Sequence, residues 1–105
     1  LDQLQDWQKT ASDYAMYPAD QSQVDLNPVG EWNSSKIVYT PEKVEYWLNG
    51  KVVVSFVPGS EDWETRKNSG KWSNAPDYAK AKKGYIGLQD HSSPIWFKNI
   101  KIKKL

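Results

Sequence analysis

The side chains able to do chemistry are few, and their spacing narrows what that chemistry can be. The single histidine, His91, closes the triplet Gln89-Asp90-His91 just ahead of a Ser92-Ser93-Pro94 turn. An imidazole at a strand end with a carboxylate in reach is held in one orientation and raised in basicity, as a general base needs. Asp90, Glu31 and Glu45 are the carboxylates that could serve it. In an alternating strand Gln89 and His91 share a face, so both could enter one cleft. The alternative is a His91 that hydrogen-bonds a loop carbonyl and stiffens the turn. The same three carboxylates admit glycosidic acid–base work between adjacent strands. The Glu-x-Asp-x-x-Glu strand pattern of sandwich-fold glucanases is absent, which argues against a standard retaining glucanase. One histidine and no cysteine exclude a multi-imidazole zinc site and any thiolate site. No Gly-rich phosphate loop, nucleophile elbow or His-Glu-x-x-His pattern occurs. No cofactor is expected, and the residues leave open whether a metal binds.

A second signal is aromatic. Tryptophan and tyrosine each occur six times. Sugar rings present apolar CH faces ringed by hydroxyls, and Trp or Tyr beside Gln, Asn, Asp and Glu matches such a ligand. Trp47 stands in that company, between Glu45 and Asn49. The plainer reading is a surface Trp on a half-exposed strand, with other tryptophans anchoring core and loops. Asn33-Ser34-Ser35 fits the glycosylation pattern, a motif too short to carry weight. Lys80-Ala81-Lys82-Lys83 reads as a solvated loop rather than a phosphate site.

These residues must be positioned by strands. Val44 to Leu48, then Asn49-Gly50, then Lys51 to Val57 reads as a hairpin, because Asn-Gly supplies the two positive-φ residues of a type I′ turn. Alternation places Val44, Tyr46 and Leu48 on one face and Glu45, Trp47 and Asn49 on the other. A preceding strand is expected over 31–40, stopped by Pro41, and a turn at Asn27-Pro28-Val29-Gly30. Residues 13–17 read as a short strand and 1–9 as a short helix. Ser60 is expected to cap a brief helix with Glu61, Asp62 and Glu64 at its start and Arg66 and Lys67 at its end. Residues 69–83 read as irregular, pinned by Trp72 and Tyr78. Two more strands are expected over 84–91 and 95–105. About six strands with short turns point to an antiparallel sandwich.

Composition bounds the rest. A length of 105 residues allows one domain with a modest core, and an apolar share of 38% falls below the roughly 45–50% usual for globular domains. A net charge of +1 argues against a strongly basic nucleic-acid binder. The longest apolar stretch is Val52 to Val54, so no bilayer span and no cleavable leader are expected.

Four blocks carry a family resemblance: residues 30–38 (Gly30-Glu31-Trp32-Asn33 onward), 44–50, 84–91 (ending Gln89-Asp90-His91) and 95–102, with Asp13-Tyr14-Ala15-Met16-Tyr17-Pro18 ahead of them. In this order they resemble the 3-keto-disaccharide hydrolase family. The resemblance implies an all-β, antiparallel jelly-roll sandwich of the concanavalin-A-like lectin/glucanase type, with the cleft on its concave face. It also implies action on 3-keto-glycosides, in which the C3 ketone acidifies the C2 proton, a base removes it, and the C1 leaving group departs before water adds back. On that reading His91, Glu45 and Asp90 are the catalytic candidates, and Gln89, Trp47, Asn33 and Glu31 bind substrate. Family members follow Gln-Asp-His with Gly where this chain has Ser92. The family domain is about twice this length, so residues 1–105 are expected to form a single partial domain. That is the C-terminal half of the sandwich, with 1–11 an insertion or linker and the N-terminal half supplied elsewhere, as by a second chain. The expected ligand is a sugar or 3-keto-glycoside, and family habit implies a periplasmic or cell-surface location. A non-catalytic carbohydrate-binding module on the same sandwich, or a laminin-G-like structural domain, are the competing readings.

Overall fold

The computed structural model describes residues 3–105, so the first two positions of the expected 1–9 helix lie outside the described residues. Over 6–8 the chain forms only a single 3₁₀ turn, Asp6–Gln8, because Leu4 and Trp7 make too narrow an apolar stripe to hold a longer helix. The chain is small and sheet-rich. Strands β1 (Ser35–Tyr39), β2 (Val44–Leu48) and β3 (Lys51–Phe56) form one antiparallel sheet in the order β1-β2-β3, followed by helix α1 (Glu61–Ser69) and a 3₁₀ turn at Lys71–Asn74.

The Asn-Gly hairpin forms as its residues require. Asn49 has φ 49° and Gly50 φ 82°, the left-handed pair of a type I′ turn. Asn49 also uses its side chain: Oδ1 accepts from Ser34 N at 2.8 Å, while Nδ2 donates to the Asp25 carbonyl and to Asn33 Oδ1, both at 2.8 Å. The turn therefore gathers the 25–34 loop against the end of the sheet.

Between β2 and β3 the ladder is irregular. Tyr46 pairs with Val54 and Trp47 with Val52, which leaves Val53 as an extra residue in a β-bulge. The bulge lets consecutive Val53 and Val54 both be buried, and the Val53 carbonyl accepts from Asp20 N at 2.8 Å. These valines pack with Met16, Tyr17, Ala19, Leu48 and Trp63 in the core. Val44 is buried as well, so the expected inward face of β2 is the one observed.

Helix α1 starts where Ser60 accepts a hydrogen bond from Trp63 N at 3.2 Å, with acidic residues in its first turn and Arg66 and Lys67 in its last. Trp63 is its one buried residue. The irregular segment after it is pinned as expected: the Trp72 and Tyr78 rings stack at 4.9 Å, and Tyr78 stacks on Trp63 at 6.0 Å.

Two expected strand regions differ. Residues 13–17 close on themselves: Asp13 N donates to Tyr17 O and Tyr17 N to Asp13 O, each at 2.9 Å, around an Ala15 at φ 65°. With no neighbouring strand in line, the backbone groups pair across the tight turn instead. Residues 84–105 contain no strand, and Ile86, Leu88, Ile95, Trp96, Phe97, Ile100 and Ile102 are exposed. Alternation and β-branched side chains favour a pleat, but a strand is stabilised by a paired edge and a covered face. Among the described residues neither is present along this segment, so three strands stand where about six were expected.

Candidate functional site

The register places the side chains of the sheet on two faces. Lys36 lies opposite Trp47 and Val38 opposite Glu45, while Ser55 and Val52 face Glu45 and Trp47 from β3. These positions alternate with the buried Val44 and Leu48, so they form the face turned away from the core. Glu45 and Trp47, singled out for acid–base work and sugar stacking, therefore stand two residues apart on one outward surface.

Both are engaged by lysines. Glu45 Oε2 is 3.4 Å from Lys43 Nζ. The Lys36 ammonium sits 4.1 Å from the centroid of the Trp47 ring, a cation–π contact worth roughly 0.5–1 kcal/mol at an exposed site. Ser34, Lys36, Trp47 and Gly50 line a shallow depression of about 160 Å³. Trp47 Nε1 is shielded from solvent and has no hydrogen-bond partner among the described residues. An orphaned buried donor of this kind costs about 1–3 kcal/mol.

Asn33 lies at the hairpin end of this surface, where its Oδ1 accepts from Asn27 N at 2.9 Å and from Asn49 Nδ2 at 2.8 Å. That fastens the carbonyl oxygen and leaves the amide NH₂ as the donor Asn33 can offer. Glu31 is exposed, and its backbone N–H donates to the Pro28 carbonyl at 3.0 Å, closing a turn over 28–31, one residue later than the expected Asn27–Gly30 turn. Gln89, Asp90 and His91 are exposed and irregular, and among the described residues no hydrogen bond or ion pair joins them to Glu31, Glu45 or Trp47. The segment that follows does reach the body, because the Lys98 ammonium rests 4.4 Å from the Trp32 ring. Among the described residues no group of three or more His, Asp or Glu side chains is arranged to hold a metal ion.

The opposite, core side of the sheet holds titratable groups that the sequence did not single out. Tyr46 Oη donates to Asp13 Oδ1 at 3.2 Å. Burial pushes the Asp13 carboxyl above its ordinary value, with the Tyr46 hydroxyl opposing. Burial also pushes the Tyr46 phenol up, helped by the nearby Asp13 charge. Tyr17 Oη donates to Asp62 Oδ2 at 2.9 Å, and its phenol is pushed up to about 12 by burial and then by Asp62. Arg66 Nε donates to the same carboxylate oxygen at 2.9 Å, its other arm reaches the Met16 carbonyl at 2.9 Å, and its guanidinium lies 4.3 Å from the Tyr17 ring centroid. Together the Tyr17 hydroxyl and Arg66 hold Asp62 below the usual carboxylate range. Only the Asp62–Arg66 spacing of four residues is a signal readable in sequence. Arrangements such as Asp13–Tyr46 and Lys36–Trp47 depend on which strands and loops become neighbours.

The chain is similar to known proteins. A family model described as a 3-keto-alpha-glucoside-1,2-lyase-like domain matches residues 1–103. A 3-keto-disaccharide hydrolase of Bacteroides thetaiotaomicron is 30% identical over 107 aligned positions, covering 92% of this chain and 36% of that protein. A crystal structure of a candidate glycosyl hydrolase from Parabacteroides distasonis superposes with a TM-score of 0.63 at 53% identity, covering 70% of this chain and 33% of that one. The chain thus spans about a third of the length of the relatives it matches.

Proposed function

The chain belongs to the 3-keto-alpha-glucoside-1,2-lyase-like family, and from that premise we propose that it forms part of a domain cleaving 3-keto-glycosides by elimination and hydration. The observation that carries the reading is the outward surface of the hairpin, where Glu45 and Trp47 share one face and Trp47 lines a small depression. A base removes the C2 proton acidified by the C3 ketone, the C1–O bond breaks with departure of the leaving group, and water adds to the resulting unsaturated ketone. This chemistry asks for one base and a donor to the developing enolate oxygen rather than a glycosidase carboxylate pair. His91 and Glu45 are assigned to proton transfer, with Asp90 orienting His91. Gln89, Glu31 and the free amide NH₂ of Asn33 are assigned to substrate hydroxyls, and Trp47 to the sugar face.

We also propose that 1–105 is a partial jelly-roll domain, in which residues 84–105 become strands once paired with polypeptide outside this stretch. The apolar residues exposed along 84–105, and relatives about three times as long, support that reading. Such pairing would also bring Gln89, Asp90 and His91 into a fixed position.

The test is turnover of a 3-keto-disaccharide by the protein as its source makes it. Glu45→Gln and His91→Ala are each expected to lower kcat by about 10²-fold or more. Undiminished turnover in both variants would overturn the assignment. A non-catalytic sugar-binding role is the second reading, favoured by the lack of any bond between His91 and Glu45 among the described residues. Under it, the unmodified protein binds the disaccharide and releases no product.

A further inference from the structure

The lysine lying on Trp47 has no part in the elimination chemistry, and it occupies the place where a sugar ring would stack. Among the described residues Lys36 forms no salt bridge, whereas Lys9, Lys43 and Lys51 each face a carboxylate. Glu45, two positions from Trp47 on the same face, is already met by Lys43 at 3.4 Å and does not claim Lys36. The Trp47 indole N–H lacks an acceptor among the described residues, and Trp47 lines a shallow depression with Ser34, Lys36 and Gly50. A neutral sugar reaching the indole face must push the ammonium aside and offers it only hydroxyl acceptors, which hold a charge more weakly than an anion does. A sugar bearing a negative group draws the same ammonium to itself and frees the ring face for its own CH surface.

We propose that Lys36 and Trp47 form a subsite for an anionic sugar unit, one whose charge is a carboxylate or a sulfate, beside Glu45 on the hairpin's outward face. This rests on the carbohydrate reading above and adds the class of sugar. Lys36 thereby acts as a specificity-determining residue: it favours charged rings over neutral ones on the Trp47 platform.

Titrating the protein as its source makes it with a neutral disaccharide, its glucuronic-acid counterpart and its sulfated counterpart tests this. The readouts are the dissociation constant and the Trp47 indole N–H resonance, assigned through Trp47→Phe. At least one anionic sugar is expected to bind roughly tenfold tighter than the neutral one, by the strength of a charge-assisted hydrogen bond, and to shift that resonance. The carboxylate and sulfate arms show which source the site prefers. The preference is expected to shrink with added salt. Lys36→Met should abolish it and tighten the neutral sugar severalfold, Lys36→Arg should retain it, and Lys80→Met, which removes a charge that does not line the depression, should leave it unchanged. Equal affinity for neutral and anionic sugars, a preference that survives Lys36→Met, or no sugar binding at all would overturn the proposal. Product formation from a neutral 3-keto-disaccharide is scored separately, so the elimination reading can stand where this one fails, and the reverse.

Discussion

Trp63 is 8% exposed and Trp96 is 75% exposed, although both lie in stretches where aromatic side chains invite burial. Around Trp63 the chain has found partners: the 13–19 turn, the bulged valines of β3 and the Trp72–Tyr78 stack converge on one cluster. Residues 84–105 hold as good a strand pattern and remain without a ladder. The difference shows that apolar content is not the limiting factor in this molecule. Partnership is. Backbone N–H and C=O groups of an unpaired segment stay with water, and its side chains gain little by ordering alone.

The largest test of the contrast compares the two tryptophans directly. With residues 1–105 by themselves, Trp63→Ala is expected to cost about 3–5 kcal/mol in denaturant unfolding, and Trp96→Ala within about 0.5 kcal/mol. Equal losses would erase the distinction between the regions. Asn49→Ala comes next: it removes three hydrogen bonds that fasten the 25–34 loop to the hairpin and should cost about 1–3 kcal/mol. Ser60→Ala removes the cap of α1, at about 1 kcal/mol by the same measurement.

The last effect is one of slope with pH, followed as Tm. The folded chain holds the Asp13 proton more tightly than the unfolded chain, so stability falls as pH rises from 3.8 through the raised folded value. Asp13→Asn should remove that decline while leaving an acceptor for Tyr46, and should not lower Tm at neutral pH. Asp62 has the opposite sign, its contribution being lost as pH falls below 3.8, and it persists in the variant. In alkali the raised Tyr17 and Tyr46 phenols keep protons that the unfolded chain releases, so Tm should decline from about pH 10 upward. A Tm flat through both ranges would show that these groups lie as open to water as the 84–105 segment.

What could be read from the sequence was local. The Asn49-Gly50 turn, the two faces of β2 and the Ser60 cap each depend on residues within a few positions of one another. The family match spans the Glu31, Glu45 and Gln89-Asp90-His91 blocks alike. Distant pairing was not legible. Tyr17 meets Asp62 across 45 residues of chain, and Asp13 meets Tyr46 across 33. Lys36 reaches Trp47 only through the register of β1 on β2. The strand pattern of 84–105 states a preference, and what it pairs with must come from another part of a sheet.

The extra valine in β3 has a further meaning when strand positions are counted as odd and even. Before Val53, even-numbered Val52 faces the Trp47 side; after it, even-numbered Val54 and Phe56 line up with Tyr46 and Val44 on the core side. One inserted residue thus reverses parity in mid-strand, so losing any one residue of the three-valine run would restore an unbroken alternation and send either the core set or the surface set to the wrong side. A bulge also coils its strand more tightly. Because this one sits directly across from Trp47, the curvature of the presented surface and the filling of the hydrophobic interior are set by the same single residue, and neither can drift without the other.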